Sequence, residues 1–378
     1  MRLKPNEDQQ FLRETTDRFL SNTVPVGQLR KLRDHPAGFE EEYWRQGAEL
    51  GWTSLLVPED RGGGSVSGGA LADATVLAHE FGRHAAPGPF LSCNLAAAAL
   101  GTEDSPRHGD VLDDLLSGSG IVSWCFTEGT ADGHRPEGLA LEITIDDDNL
   151  VVDGVKRPVE AAGQAGHLLV TGRTGAGVTQ ALVPVDAPGV SLEPMESVDL
   201  TRRFWAVRFE QVRLPLDARI GEVGGAVDQV ERQLRVGLVL LAAEAVGAME
   251  RAFDMTVEWA FDRYTFGRPL ASYQALKHRF ADMKTWLEAS HAVTDAAADA
   301  VDCNRLEAAE LASVAAAFVG QYGSELVQDC VQIHGGIGLT YEHDLHLFVR
   351  RVTLDRAVLG TPALHRRRIA ALLAEEGW

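Results

Sequence analysis

The stretch RYTFGRPLASYQALKHRFADM, Arg263–Met283, decides how the rest of the chain is read. It follows a long run of helical periodicity and breaks it with Gly267 and Pro269. A second helix is expected from Ser272, whose hydroxyl can cap the first turn. Such a break gathers Arg263, Thr265, free backbone N–H groups and a positive helix end in one small volume. That is what a pyrophosphate requires.

Working outward, the chain divides into three by its periods. Residues 1–118 read as helices, with apolar residues at helical spacing in Asn6–Leu20, Phe39–Leu50, Leu71–Phe81 and Leu91–Leu100. A glycine cluster at Gly62–Gly69 lacks the Lys-Ser/Thr pair of a phosphate loop and reads as a plain loop. Residues 119–225 turn to period two, in IVSWCFT, LALEITI, LVVDGV, HLLVTGR, QALVPV and WAVRFEQVRL, with Asp, Gly and Pro between them. Residues 226–378 return to long helices: Val227–Arg263, Ser272–Asn304, Leu306–His334, Glu342–Ala357 and Pro362–Glu375. The fold class is therefore α+β and multi-domain: an N-terminal helical domain, a middle β-barrel or sandwich, and a C-terminal four-helix bundle.

Composition narrows the function. A net charge of −20 argues against a nucleic-acid partner. No apolar run approaches membrane-spanning length, and the polar N-terminus is not a signal peptide. Cys93, Cys125, Cys303 and Cys330 lack metal-ligand spacing and read as reduced thiols of a cytoplasmic protein. Glu342, His343, Asp344 and His346 in TYEHDLHLFVRR suggest a metal at first sight. The acids suit a helix start instead, no familiar ligand triad is present, and no metal is expected. The Arg350–Arg351 pair is expected to bond carboxylates between helices.

Two motifs in register resemble the acyl-CoA dehydrogenase family: Arg263–Met283 and QIHGGIG at Gln332–Gly338. GWTSLLVPEDRGGG, from Gly51, is similar to a third segment of that family. The resemblance implies bound flavin adenine dinucleotide (FAD), with Arg263 and Thr265 on its pyrophosphate and Phe266 beside the adenosine. It has Gln274, Gln332, Gly335 and Gly336 reaching FAD across a subunit boundary. Thr127, in the WCFTE segment, would contact the flavin ring, and Thr361 would join the FAD contacts. Gly129 stands where the family has Pro, and Pro158 where it has the flavin-stacking Trp. The implied reaction is α,β-desaturation of an acyl-CoA thioester, with electrons passed to an electron-transfer flavoprotein.

That reaction needs a carboxylate to take the α-proton. The family's usual Glu corresponds to Leu359 within Val358–Thr361, and a second position used by some relatives corresponds to Gly237. Seven residues on, two turns along the same face, stands Glu244, the one charged residue in VGLVLLAAEAVGAM, Val236–Met249. Actinobacterial members of steroid side-chain type resemble this chain in lacking the late Glu and carrying one here. Glu244 is therefore the expected base, in an apolar setting that favours proton uptake. Pairing of Glu244 with an Arg from another helix, or a place lining a pocket without reacting, are the alternatives. Small residues along Ala242–Ala248 would leave room for a bulky acyl group. Three assignments follow: a homotetrameric enzyme; a subunit of an α2β2 assembly that completes a neighbour's FAD site; or a flavin oxidoreductase on a non-CoA substrate.

Overall fold

The computed structural model describes residues 5–102, 108–129 and 135–375. Five helices come first: α1 (Glu7–Thr23), α2 (Glu41–Glu49), α3 (Ala70–His84), α4 (Phe90–Gly101) and α5 (Gly109–Ser117). The start of α1 is fixed by a reciprocal cap. Asn6 Oδ1 accepts from the Gln9 N–H at 2.8 Å, and Gln9 Oε1 accepts from the Asn6 N–H at 3.1 Å. Helix α4 is apolar all round and almost wholly buried, as a helix enclosed on every side must be.

The middle domain is a single mostly antiparallel sheet. Its strands are β1 (Val122–Cys125), β2 (Glu142–Asp146), β3 (Asn149–Glu160), β4 (His167–Thr174), β5 (Gly177–Pro184), β6 (Val190–Met195), β7 (Phe204–Pro215) and β8 (Arg219–Ile220). They run in the order β6-β7-β3-β2-β4-β5-β8, with β1 parallel to β4. Alternating inward residues such as Leu150, Val152, Val207 and Phe209 form a core of its own, separate from the helical one.

The C-terminal bundle holds α6 (Val227–Asp262), α7 (Gln274–Asp302), α8 (Ala308–His334), α9 (Leu345–Asp355) and α10 (Pro362–Glu375). A hairpin of β9 (Tyr264–Thr265) and β10 (Arg268–Pro269) joins α6 to α7. The expected cap at Ser272 is corrected. Tyr273 is the N-cap residue and makes no side-chain cap bond, while the Ser272 hydroxyl donates to Pro269 O at 2.7 Å. The residues after Pro269 form a short 3-10 turn, which holds Ser272 one residue too early.

Helix α3 crosses α6 backbone to backbone. A Cβ on Gly82 would lie 1.8 Å from Glu244 O, and one on Gly247 would lie 1.9 Å from His79 O. Of the small residues around Glu244, Gly247 and the Ala248 backbone serve this close helix packing, while Ala242 and Ala245 line a small cavity with Leu238, Leu241 and Leu359. Among the described residues, no helix is long and apolar enough to cross a membrane.

Candidate functional site

The residues expected to hold FAD fall into two groups that the fold treats differently. The first lies at one end of the bundle. Phe266 and Gly267 both take positive φ, 50° and 82°, which closes the two-residue hairpin between Thr265 and Arg268. Phe266 is thereby pushed out and is 99% exposed. Tyr273 donates its hydroxyl hydrogen to Thr265 O at 2.8 Å and fixes the hairpin to the start of α7. Arg263 is exposed, lies 5.9 Å from the Trp259 ring centroid and makes no ion pair among the described residues.

The Trp259 ring stacks in turn on His334, centroids 5.4 Å apart. His334 is the last residue of α8, so the Arg263 hairpin and the Gln332–Gly336 turn are brought to the same place. Gln274, Gln332, Gly335 and Gly336 are exposed, and no atom lies within 4 Å of where a Cβ on Gly335 or Gly336 would be. A free guanidinium, a hydroxyl, a helix start and bare backbone suit an anionic dinucleotide.

The second group, around Thr127, bonds within the chain. The Thr127 hydroxyl donates to Pro158 O at 2.9 Å within the chain. Thr127, Pro158, Glu160 and Leu359 line a cavity of about 30 Å³ whose wall includes the stacked Trp124 and Phe126 rings. Clefts for small molecules run to roughly 300–1,000 Å³. Thr361, two residues beyond Leu359, is exposed. The two sequence positions expected to carry a base in relatives do meet. A Cβ on Gly237 would lie 2.6 Å from Leu359 Cδ1, so both are aliphatic and in contact.

Glu244 is buried, and its surroundings are not the apolar ones its neighbours on α6 suggest. Its Oε1 accepts from Arg351 Nη1 at 2.5 Å, and Arg202 Nη1 donates to Oε1 at 3.2 Å and Oε2 at 3.1 Å. The sequence alternative of an Arg from another helix is thus met by Arg351 of α9. Arg202, from the loop before β7, was not foreseen. Arg202 Nε also donates to Glu160, and its Nη1 lies 3.8 Å from Asp355 Oδ1.

Arg351 is fully buried and donates to Asp199 Oδ2 at 2.7 Å, Thr201 Oγ1 at 3.1 Å, and the carbonyls of Ala85 and Ala86 at 3.2 and 3.0 Å. Arg350 is not part of this cluster; its Nη1 donates to Val198 O at 2.8 Å.

Four carboxyls thus face two guanidiniums in the interior, and the protons distribute accordingly. Burial pushes Asp355 well above the usual carboxylate range, with the Glu244 charge adding to it. Burial also raises Glu160, against the pull of Arg202. Burial opposes ionisation of Asp199 too, but Arg351 beside it outweighs that and lowers its pKa. The cluster is fed by all three domains and joins them.

Helices, sheet and bundle in this order, with an anion-ready hairpin beside a Gly-Gly turn, define a flavoprotein of dehydrogenase type. The acyl-CoA dehydrogenase C-terminal domain matches residues 226–374, and the N-terminal domain of the same family matches residues 6–108. Acyl-CoA dehydrogenase IpdE2 of Mycobacterium tuberculosis is 32% identical over 100% of this chain and 99% of its own length. Acyl-CoA dehydrogenase FadE34 of the same organism is 31% identical over 90% of this chain and 44% of its own length. A solved variant of the Tcur3481–Tcur3483 steroid ACAD superposes with a TM-score of 0.87 at 27% identity, covering 98% of each chain. The chain belongs to the acyl-CoA dehydrogenase family, FAD-dependent oxidoreductases that act on acyl-CoA thioesters.

Against that family's cofactor, the residues of this chain fit one half. The Arg263 hairpin and the Gln332–Gly336 turn suit the adenosine diphosphate half of FAD. At the flavin end, the Thr127 hydroxyl is already bonded to Pro158 O, and Pro158 offers no aromatic face for the ring.

Proposed function

We propose that this chain works in an acyl-CoA dehydrogenase assembly in which FAD is shared between unlike subunits. This chain holds the adenosine diphosphate half with Arg263, Thr265, Phe266, Gln274, Gln332, Gly335 and Gly336. A sister subunit would hold the flavin ring, which supplies hydride acceptance when bound, and would supply the base.

The observation that carries the reading is the contrast, in one chain, between an open anion site and a small ring site whose Thr127 hydroxyl is already bonded to Pro158. In a homotetramer every ring site would be this small one, which favours an α2β2 assembly. Phe261, Tyr264 and Phe266 beside one motif, and Ile337 and Leu339 beside the other, are large, apolar and exposed, as a subunit interface requires. FadE34, whose matched part is less than half its length, has room for a second unit of similar size. The steroid naming of the Tcur3481–Tcur3483 relative favours a bulky, steroid-like acyl group. The electron acceptor is an electron-transfer flavoprotein and the compartment the cytoplasm.

The test is to purify the chain alone and again co-expressed with a family member that keeps the late Glu. Alone it should be colourless, and with that partner yellow and bleached by acyl-CoA. Arg263→Ala in the pair should cost at least tenfold in FAD affinity, the worth of a charge-assisted contact. A yellow, active preparation of this chain by itself would overturn the reading.

A second reading keeps the chemistry in this chain, in a homotetramer with Glu244 as base. Its support is that Glu244 lies on the α6 face that carries Gly237, which meets Leu359. It requires Arg202 or Arg351 to release the carboxylate. Under it, Glu244→Gln keeps flavin and loses bleaching by acyl-CoA.

A further inference from the structure

Away from the pocket and the central charge cluster, three helices bring together a second set of polar side chains. His79 comes from α3, Glu250 from α6 and His291 from α7. Their ligating atoms all lie within 4.8 Å of one another. His79 Nε2 is 2.8 Å from Glu250 Oε2, and His291 Nε2 is 3.8 Å from the same oxygen. Donors about 2.0–2.1 Å from a tetrahedral ion stand roughly 3.3 Å apart, so the set needs only small side-chain adjustments to close on one.

The shell behind the set is also in place. His79 Nδ1 faces Glu80 Oε1 at 3.3 Å. A carboxylate on one ring nitrogen fixes the tautomer that offers the other nitrogen's lone pair, the usual support of a metal-bound histidine. Glu80 is buried, and its other oxygen lies 3.9 Å from His84, which Asp17 also holds at 2.9 Å. Arg83 Nη1 lies 3.5 Å from Glu250 Oε2 and 3.4 Å from Asp254 Oδ2. Asp254 can keep that guanidinium when a cation takes Glu250. All three ligand side chains are only partly exposed and His291 Nε2 itself is buried, so an ion there would be largely enclosed.

We propose that His79, Glu250 and His291 form a binding site for one divalent transition-metal ion, zinc by the ligand types, that staples α3 to α6 and α7 beside the Gly82–Gly247 crossing. Two imidazoles and a carboxylate select zinc over magnesium or calcium, which prefer all-oxygen sets. No local spacing signals it, because the ligands lie far apart along the chain instead of at helical spacing.

The test uses full-length protein stripped with a chelator and dialysed, then titrated with zinc chloride. Bound metal is read by elemental analysis and stability by melting temperature. One zinc per chain is expected, with a rise in Tm of about 3 °C at a hundredfold excess over Kd. Magnesium should give no rise. His291→Ala should weaken zinc binding at least tenfold, and His346→Ala, a histidine of the other cluster, should leave it unchanged. Should His291→Ala fold poorly, cobalt substitution of the unaltered protein gives a second readout, a visible absorption band that zinc displaces. Absence of stoichiometric zinc, a missing cobalt band, or equal affinity in His291→Ala would overturn the assignment and leave an adventitious ion only.

Discussion

Replacing Arg351 with leucine tests the central cluster most directly. The guanidinium is fully buried and holds Asp199, Glu244, Thr201 and the two carbonyls at the end of α3. Breaking one partner out of a buried ion pair costs about 3–5 kcal/mol, since the carboxylate left behind is desolvated and unpaired. Glu244 keeps Arg202, so Asp199 alone loses its guanidinium partner, and the middle of that range applies to the variant as a whole. A total of about 4 kcal/mol is expected. A chain of 378 residues has an unfolding entropy near 0.8 kcal/mol/K, so the loss converts to a fall in Tm of about 5 °C. Calorimetry of the R351L variant measures it, with R350L as control. Arg350 donates to the Val198 carbonyl and to His346 Nδ1, neither bond fully buried, and should cost about 1 kcal/mol. The double variant R351L/E244Q should recover at least about 1 kcal/mol relative to additivity, because the two groups are in contact. If R351L melts within about 1 °C of the unaltered chain, or the double variant is strictly additive, the cluster is not what binds the domains together.

Two further outcomes follow from the same geometry. Gly82→Ala places a methyl against Glu244 O and should cost about 2–3 kcal/mol, seen as a lower urea midpoint; an unchanged midpoint would mean that α3 and α6 part freely. Asp355 has its folded pKa raised, so the unfolded chain loses that proton first as pH rises above the ordinary value of 3.8. The unfolded state then binds fewer protons, and Asp355 weakens the fold progressively above that pH. Asp355→Asn should therefore gain stability relative to the parent as pH goes from about 4 to 7; a constant difference between the two in pH-dependent urea titrations would refute it.

The fold was legible because period and punctuation agree over long stretches. The 36 residues of α6 and the run of short strands leave little choice of class. Legible too was the break between α6 and α7, since Gly267 and Pro269 lie next to the residues they position. The surroundings of Glu244 were not. Its helix neighbours are aliphatic, and the groups that touch it, Arg202 and Arg351, are 42 and 107 residues away in the chain. Helical spacing reports a residue's own face and is silent about what another domain inserts against it. The doubled arginines at Arg202–Arg203 and Arg350–Arg351, each set among apolar or aromatic residues, were the available hint, and only the second was read as an inter-helix pair. Ser272 failed for a local reason: a single extra turn after Pro269 moves the helix start past it.

The joint between Arg351 and its carboxylates also restricts how this chain can be recombined. Asp199, Arg202 and Glu160 travel with the middle domain, Glu244 and Arg351 with the bundle. A chimera that borrows the sheet from a homologue with other residues at these points would strand a charge in its interior. Exchange of whole domains among paralogues is therefore open only to donors that bring a matching set of acids and guanidiniums.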